Sequence, residues 1–197
     1  MTGLKIASIS EQLDSSPTPR HLVDFISRQL LKAKFVDFTN KSINRSSSGF
    51  VVNAGSIVAW RTGSKTAENG FRIVGAHTDS PCLRIKQNPD DKKFGFNTLS
   101  VEIYGSPLLN SWLDRDLGIA GHVVTRSGET KLFDSHSPVA RISQLAIHLD
   151  REVTEKGLVL DKQLHLTPSW STERAAPSFA GWVAKTTKIK PIEIVHI

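Results

Sequence analysis

The chain has 197 residues, of which 39% are hydrophobic, so it can bury a core, and this composition argues against wholesale disorder. A single Cys excludes a disulfide-built secreted scaffold and is consistent with a reducing compartment. The N-terminus lacks the apolar segment of a signal peptide, and no apolar run approaches the length of a membrane span. We therefore expect a cytoplasmic protein with no membrane partner.

The net charge is +6, from 25 Lys plus Arg against 19 Asp plus Glu. The basic residues are scattered, and their densest groups are short and lack interleaved aromatic residues. This pattern favours a solvated surface over a nucleic-acid interface, so we expect no nucleic-acid partner. A weak attraction for acidic ligands stays open.

The first predicted element is a helix that begins at Pro19. Thr18 can cap it, and Pro19 suits the first helical position because a missing N–H has no cost there. Apolar residues then recur at helical spacing and form one stripe: Leu22, Phe25, Ile26, Leu30 and Ala33.

Short strands are predicted next, at residues 50–52 and 57–60. The polar residues 62–70 predict a loop. Residues 71–76 then form an apolar run, which we expect to be a strand buried on both faces. Together with the helix, these elements predict the beginning of an α/β layer.

The chain after Pro81 is predicted to be β-rich. Apolar and polar residues alternate over residues 83–86 and 99–104. Residues 119–124 and 131–133 are predicted to pair across a turn at Ser127 and Gly128.

A short helix and a domain boundary complete this predicted organisation. The helix is expected over residues 142–149. Residues 88–93 are polar and rich in turn-forming types, so we place the boundary there, between residues 1–87 and 88–197.

One motif carries chemistry: AHTDSP, residues 76–81. His77 and Asp79 are separated by two positions, which in extended backbone places both side chains on the same side. This pair suits metal binding, because the imidazole can bind the ion and the nearby carboxylate fixes the tautomer of the ring. On its own the tripeptide is more typical of a His and an Asp that are hydrogen-bonded in a turn.

A longer segment around this motif, GAHTDSPCLRIK at residues 75–86, resembles the signature of the aspartyl aminopeptidase family of dinuclear zinc aminopeptidases. Further segments resemble the same family in the same order: SPTP (16–19), VEIYG (101–105), WLDRDL (112–117), AIHL (146–149) and QLHLTP (163–168). The resemblance covers the chain from about Ser16 to its end.

The resemblance implies a role for three residues. His77 would bind one of a pair of zinc ions, and Asp79 would be the catalytic-centre carboxylate that orients His77. His165 would contact the substrate in the active site of a neighbouring subunit. The implied activity is removal of the N-terminal, acidic residue from a peptide substrate.

The resemblance also implies an organisation and an assembly. Residues 1–87 would be the first part of the α/β catalytic domain of a zinc aminopeptidase. Residues 88–197 would be a β-rich dimerisation domain inserted into it, through which the protein forms a homo-oligomer.

The chain departs from the family pattern in its metal ligands. The family's other ligands and its general base follow the inserted domain, and the chain contains neither a Glu-Glu nor an Asp-Asn dipeptide. We therefore expect an N-terminal portion that is inactive in isolation, with at most a partial zinc site. Alternatives are a catalytically inactive oligomerisation or interaction module, and a chain that does not fold stably.

Other polar residues have simpler interpretations. Asp114, Arg115 and Asp116 are expected to form a local ion pair beside packed apolar residues. His148 lies among apolar residues and is expected to be structural.

Overall fold

The structure is a computed structural model that describes residues 6–43, 48–63, 70–173, 175–190 and 194–196. Helices and strands alternate in its first part, and strands predominate afterwards, so the α/β class with a β-rich continuation is confirmed. The chain divides into two compact units, a first unit of Met1–Ser80 and a second unit of Pro81–Ile197. No helix in the described ranges has the length and apolarity needed to cross a membrane.

The first unit contains two helices and a small sheet. The sheet has the strand order β1-β2-β3, with β1 parallel to β2 and β2 antiparallel to β3. The elements are α1 (Ile6–Asp14), α2 (Pro19–Lys32), β1 (Val36–Asp37), β2 (Ser48–Asn53) and β3 (Ser56–Arg61).

Helix α2 confirms the first prediction. The Thr18 hydroxyl accepts a hydrogen bond from the backbone N–H of His21, and Pro19 occupies the first turn. The predicted stripe is half-buried, except for the exposed Ala33 beyond the last turn, and the neighbouring Val23 is buried.

The core of the first unit is closed by aromatic rings. Phe50 on β2 is fully buried, and the ring of Phe38 stacks on that of Trp60 with centroids 5.6 Å apart. A Cβ at Gly49 would lie 2.5 Å from the Trp60 ring and 2.7 Å from that of Phe38. Glycine is therefore required where β2 passes beneath the two rings.

The predicted buried strand at residues 71–76 is wrong for the structure as described. Residues 70–81 have no regular secondary structure, and Phe71, Ile73 and Val74 are 86%, 88% and 97% exposed. A strand buried on both faces needs neighbouring strands and two covering layers. No described strand pairs with this segment, so its apolar pattern has nothing to pack against.

The second unit is β-rich, as predicted. Its described strands form two sheets, with orders β4-β5-β10-β9-β6 and β11-β7-β8. The strands are β4 (Cys82–Lys93), β5 (Phe96–Tyr104), β6 (Asp116–Leu117), β7 (Ala120–Thr125), β8 (Thr130–Asp134), β9 (Ala140–Arg141), β10 (Ser169–Ser171) and β11 (Ile194–His196). The helices are α3 (Val153–Lys156), α4 (Phe179–Thr187) and a 3-10 turn, Leu109–Trp112.

The β7–β8 hairpin forms across the turn predicted at Ser127 and Gly128. Gly128 has a φ of 83°, a conformation that glycine adopts without strain.

The units separate between Ser80 and Pro81, before the boundary predicted at residues 88–93. Those residues belong to β4, and the pairing of β4 with β5 changes register between Ile85 and Asp90. The polar residues therefore mark an irregularity within a strand, where Pro is tolerated, and not a linker.

The helix predicted at residues 142–149 is also wrong. Ile142 is buried and forms a β-bridge with Leu113, and residues 143–149 contain no helix. Leu145, Ile147 and Leu149 are 61%, 48% and 74% exposed, so no apolar face is packed against a partner that would stabilise a helix.

Two apolar clusters hold the second unit together. The larger one contains Leu99, Ile119, Val123, Phe133, Phe179 and Val183. Around it the rings of Phe179, Trp170 and Trp182 pack in stacked and edge-to-face pairs. The smaller cluster contains Leu113, Ile142 and Leu166, and partly buried apolar residues of β4, β5, β6 and the 3-10 turn pack against it.

Candidate functional site

The segment that carries His77 is anchored to the first unit by its neighbour Thr78. The Thr78 hydroxyl donates a 2.6 Å hydrogen bond to the backbone carbonyl of Gly55, in the turn between β2 and β3. This hydrogen bond ties the segment to the β2–β3 turn at one residue. It fixes the backbone between His77 and Asp79.

The His77 ring is oriented by Asp79. Its Nδ1 lies 2.6 Å from the Asp79 backbone oxygen and 3.2 Å from the carboxylate Oδ1. Both partners are hydrogen-bond acceptors, so in the neutral ring the proton resides on Nδ1. The lone pair is then on Nε2, the nitrogen on the other side of the ring, which is the arrangement of a metal-binding imidazole.

The His77 side chain is 80% exposed and that of Asp79 is 40% exposed. An incoming ion can therefore reach the ring without displacing protein atoms. His77 fits a zinc site, because neutral imidazole is a preferred zinc ligand. Within the described ranges no group of three or more His, Cys, Asp and Glu side chains could hold a metal ion.

His165 lies at the end of a tight turn that begins at Asp161, in the second unit. The His165 backbone N–H donates to the Asp161 carbonyl at 3.0 Å, and the Asp161 N–H donates to the His165 Nδ1 at 2.9 Å. Because Nδ1 accepts a hydrogen bond, the proton of the neutral ring is on Nε2. The exposed His165 therefore presents a hydrogen-bond donor.

The Asp161 carboxylate stabilises this turn. Its Oδ1 accepts the backbone N–H groups of Leu164 and Gln163, each at 2.8 Å. These two bonds, that from Leu164 first, hold the pKa of Asp161 below its usual value because they favour the ionised carboxylate. The turn is therefore preorganised at neutral pH.

The two histidines thus present opposite chemistry at the same ring atom. His77 offers a lone pair at Nε2, which suits an ion, and His165 offers an N–H at Nε2, which suits a carbonyl or carboxylate oxygen of a ligand. They lie in different units of the chain. Among the described residues, neither histidine belongs to a group of three or more His, Cys, Asp and Glu side chains that could hold a metal ion.

The acidic residues of the WLDRDL segment form an ion pair with a partner that was not predicted. Arg141 on β9 lies 3.1 Å from the Asp116 carboxylate and 3.6 Å from that of Asp114, whereas Arg115 donates to the Ser111 carbonyl. The group is exposed and structural, as expected.

Sequence reasoning missed the residues that position these two histidines. Thr78 within the motif had no assigned role, although its hydroxyl is the anchor of the segment. Asp161 was also missed, and its position two and three residues before the N–H groups it accepts is a recognisable signal of an Asx-type turn.

Comparison with known proteins places these features in a family context. Residues 12–196 match the family described as aminopeptidase I zinc metalloprotease (M18). A probable M18 family aminopeptidase 2 of Streptomyces coelicolor is 50% identical over 161 residues, which cover 80% of this chain and 37% of that protein. Its counterpart in Mycobacterium leprae is 37% identical over 200 residues, covering 97% of this chain and 46% of that protein. The chain thus spans less than half the length of these curated relatives.

Solved structures show the same fold. The Ape4 chain in a cryo-EM structure of the Ape4 and Nbr1 complex is 28% identical, with a TM-score of 0.82 over 94% of this chain and 41% of that one. The crystal structure of prApe1 is 25% identical, with a TM-score of 0.83 over 95% of this chain and 45% of that one. An M18 aminopeptidase from Thermotoga maritima, 23% identical, shares the fold with a TM-score of 0.74 over 97% of this chain and 47% of that one.

Proposed function

Because this chain belongs to the M18 family of aminopeptidase I zinc metalloproteases, we propose that it supplies a zinc ligand and a substrate contact to an aminopeptidase. The enzyme would hydrolyse the first peptide bond of peptides that begin with an acidic residue. The single observation that supports this most is the orientation of His77 by Asp79, which leaves Nε2 to bind an ion.

In the proposed mechanism each residue has one task. His77 would hold a zinc ion through Nε2, while Asp79 orients the ring through Nδ1 and Thr78 ties the segment to Gly55. When bound, zinc supplies a Lewis acid for the scissile carbonyl and lowers the pKa of bound water. In the complete enzyme of the family type, a pair of ions and further ligands would be present.

His165 would act on the substrate in a neighbouring subunit. Its Nε2–H can donate to a substrate oxygen, since Nδ1 is already occupied by the Asp161 N–H. This role requires a homo-oligomer assembled through the β-rich second unit. A similar solved structure is described as a dodecamer of mApe1, which is consistent with assembly in the family.

The proposed domain roles follow the units of the structure. The first unit would be the opening part of the catalytic domain, and the second unit the inserted dimerisation domain, with the border at Pro81. We further propose that the protein acts in the cytoplasm on peptide substrates.

The experiment joins residues 1–197 to the C-terminal remainder of the Streptomyces coelicolor relative, which is 50% identical over the matched part. We expect this hybrid to release Asp and Glu from peptides in the presence of zinc, to prefer them over Leu, and to lose activity with a chelator. The 197-residue chain alone is the matched control and is expected to be inactive. A folded, zinc-loaded hybrid without aminopeptidase activity would contradict the proposal.

A second candidate function is a non-catalytic interaction module. It is favoured by the described structure's incomplete metal site beside a second unit that has its own apolar clusters. In that case the hybrid would be inactive while the 197-residue chain would self-associate or bind an M18 enzyme.

A further inference from the structure

The 161–165 turn, which carries His165, is anchored at both ends by the apolar core of the second unit. Leu160, just before the turn, packs against the smaller cluster, and Leu166, just after it, is 1% exposed and belongs to that cluster. The residues between these two leucines are all exposed. The core therefore fixes where the turn begins and ends, but it does not fix the conformation between those points.

Asp161 determines the conformation inside the turn. Within the described part of the chain, every hydrogen bond inside the turn has Asp161 as one partner. Its Oδ1 accepts the N–H groups of Gln163 and Leu164. Its carbonyl accepts the His165 N–H, and its own N–H donates to Nδ1 of the ring. Because these bonds reach three successive residues, the backbone of the turn and the His165 ring are held together.

The carboxylate of Asp161 is poorly suited to bind an acidic substrate itself. Two carboxylates repel each other, and Oδ1 of Asp161 already accepts two N–H groups. The effect of Asp161 on such a substrate is therefore indirect and passes through the His165 ring.

We propose that Asp161 is a positioning residue for the substrate, which holds the His165 ring so that Nε2–H is directed at a substrate oxygen before the substrate arrives. An exposed histidine on an unsupported turn would lose rotamer and backbone freedom on binding, and that loss weakens affinity. The hydrogen bonds of Asp161 remove this loss in advance. The role lies in substrate binding and not in the hydrolytic step, and it rests on the proposed function of His165.

Kinetics of the hybrid enzyme on peptides that begin with Asp or Glu test this role. We expect Asp161→Ala to raise KM by roughly three- to tenfold, because a side chain must then be ordered on binding, and to change kcat by less than about twofold. Asp161→Asn keeps an oxygen that accepts both N–H groups, so its KM should stay within about twofold of wild type. Glu155→Ala is the matched control, since it removes an exposed carboxylate from α3 in the same unit, and it should leave KM unchanged.

A double variant distinguishes positioning from a general structural effect. If Asp161 acts through His165, Asp161→Ala has no further effect once residue 165 is Ala. The double variant should then match the KM of His165→Ala within about twofold. Additive effects of the two substitutions, or an Asp161→Asn variant as impaired as Asp161→Ala, would overturn the proposal.

NMR relaxation of the ¹⁵N-labelled 197-residue chain tests the geometry without enzyme activity. Backbone order parameters of Gln163 and Leu164 should be about 0.85 in the wild type and below about 0.6 in Asp161→Ala. The His165 Nδ1 signal should move toward that of a nitrogen without a hydrogen bond. Equal melting temperatures would show that the Leu160 and Leu166 anchors are intact.

The two measurements separate failure of this inference from failure of the proposed function. A turn that stays rigid in Asp161→Ala, with an unchanged Nδ1 signal, would overturn the positioning role whatever the activity. A mobile turn with an unchanged KM in an active hybrid would overturn it as well. An inactive wild-type hybrid would instead contradict the proposed function.

Discussion

Replacement of His77 by Ala in the hybrid enzyme is expected to lower peptide hydrolysis by more than about 100-fold. Residues that only orient a metal ligand change affinity or activity by about 10–100-fold, so loss of the ligand itself should exceed that range. Asp79→Asn should fall within it, because the ring keeps the 2.6 Å contact to the backbone oxygen but loses the carboxylate at 3.2 Å. Initial rates at saturating zinc, with the zinc content of each variant, provide the measurement.

His136→Ala is the matched control for this prediction. His136 is also an exposed histidine next to an aspartate, with Nδ1 3.4 Å from Asp134 Oδ2. It lies in the second unit and has no assigned role, so its removal should leave the rate within about twofold. If His136→Ala and His77→Ala reduced the rate equally, the assignment of His77 as a ligand would be contradicted.

Phe179→Ala is expected to destabilise the second unit by about 3–5 kcal/mol. Phe179 is 3% exposed and belongs to the larger apolar cluster, where its ring stacks on Trp182 at 5.9 Å and meets Trp170 edge-on. Its removal leaves a cavity between the Trp182 ring, on the same helix α4, and the Trp170 ring on β10. Denaturant unfolding followed by Trp fluorescence measures the change in the free energy of unfolding.

Phe94→Ala is the control for this loss of stability. The ring of Phe94 is 98% exposed, so its truncation should change the free energy of unfolding by less than about 0.5 kcal/mol. The comparison is made at concentrations at which the chain is monomeric, since association would add to the apparent stability. A loss below 1 kcal/mol for Phe179→Ala would contradict the packing described for the second unit.

The elements that sequence predicted well are those determined by local interactions. Helix α2 carries its own cap at Thr18 and a Pro in its first turn, and the β7–β8 hairpin carries its own turn glycine, Gly128. Helix α4 was missed although Ser178 caps it, because its nonpolar residues form one short continuous run, residues 179–184, that shows no helical periodicity.

The two predictions that were wrong concern segments whose conformation depends on partners distant in the sequence. Residues 71–76 have the composition of a buried strand, but a strand exists only when other strands pair with it, and none of the described strands does. Residues 142–149 contain apolar side chains at near-helical spacing, yet Ile142 bonds through its backbone to the Leu113–Asp114 segment. Long-range pairing of this kind leaves no signal in the local pattern.

The sequence predicted which residues belong to the candidate site, but it did not predict the hydrogen bonds that orient their side chains. The spacing of His77 and Asp79 indicated a shared side, and the structure adds a backbone carbonyl as the closer partner of the ring. For His165 the family resemblance supplied the residue, but the hydrogen bond from the Asp161 N–H, which determines the tautomer, depends on the conformation of the turn. The tautomer of a histidine therefore follows from the folded structure and cannot be read from the sequence alone.

The proposed function requires that Nε2 of His77 present a lone pair to a metal ion. Long-range ¹H–¹⁵N correlation spectra of the labelled 197-residue chain, at a pH where the imidazoles are neutral, measure the tautomer of each histidine. We predict the proton of His77 on Nδ1 and the proton of His165 on Nε2. Zinc should then perturb the Nε2 signal of His77 first. A His77 ring that carries its proton on Nε2, with no change on addition of zinc, would contradict the account.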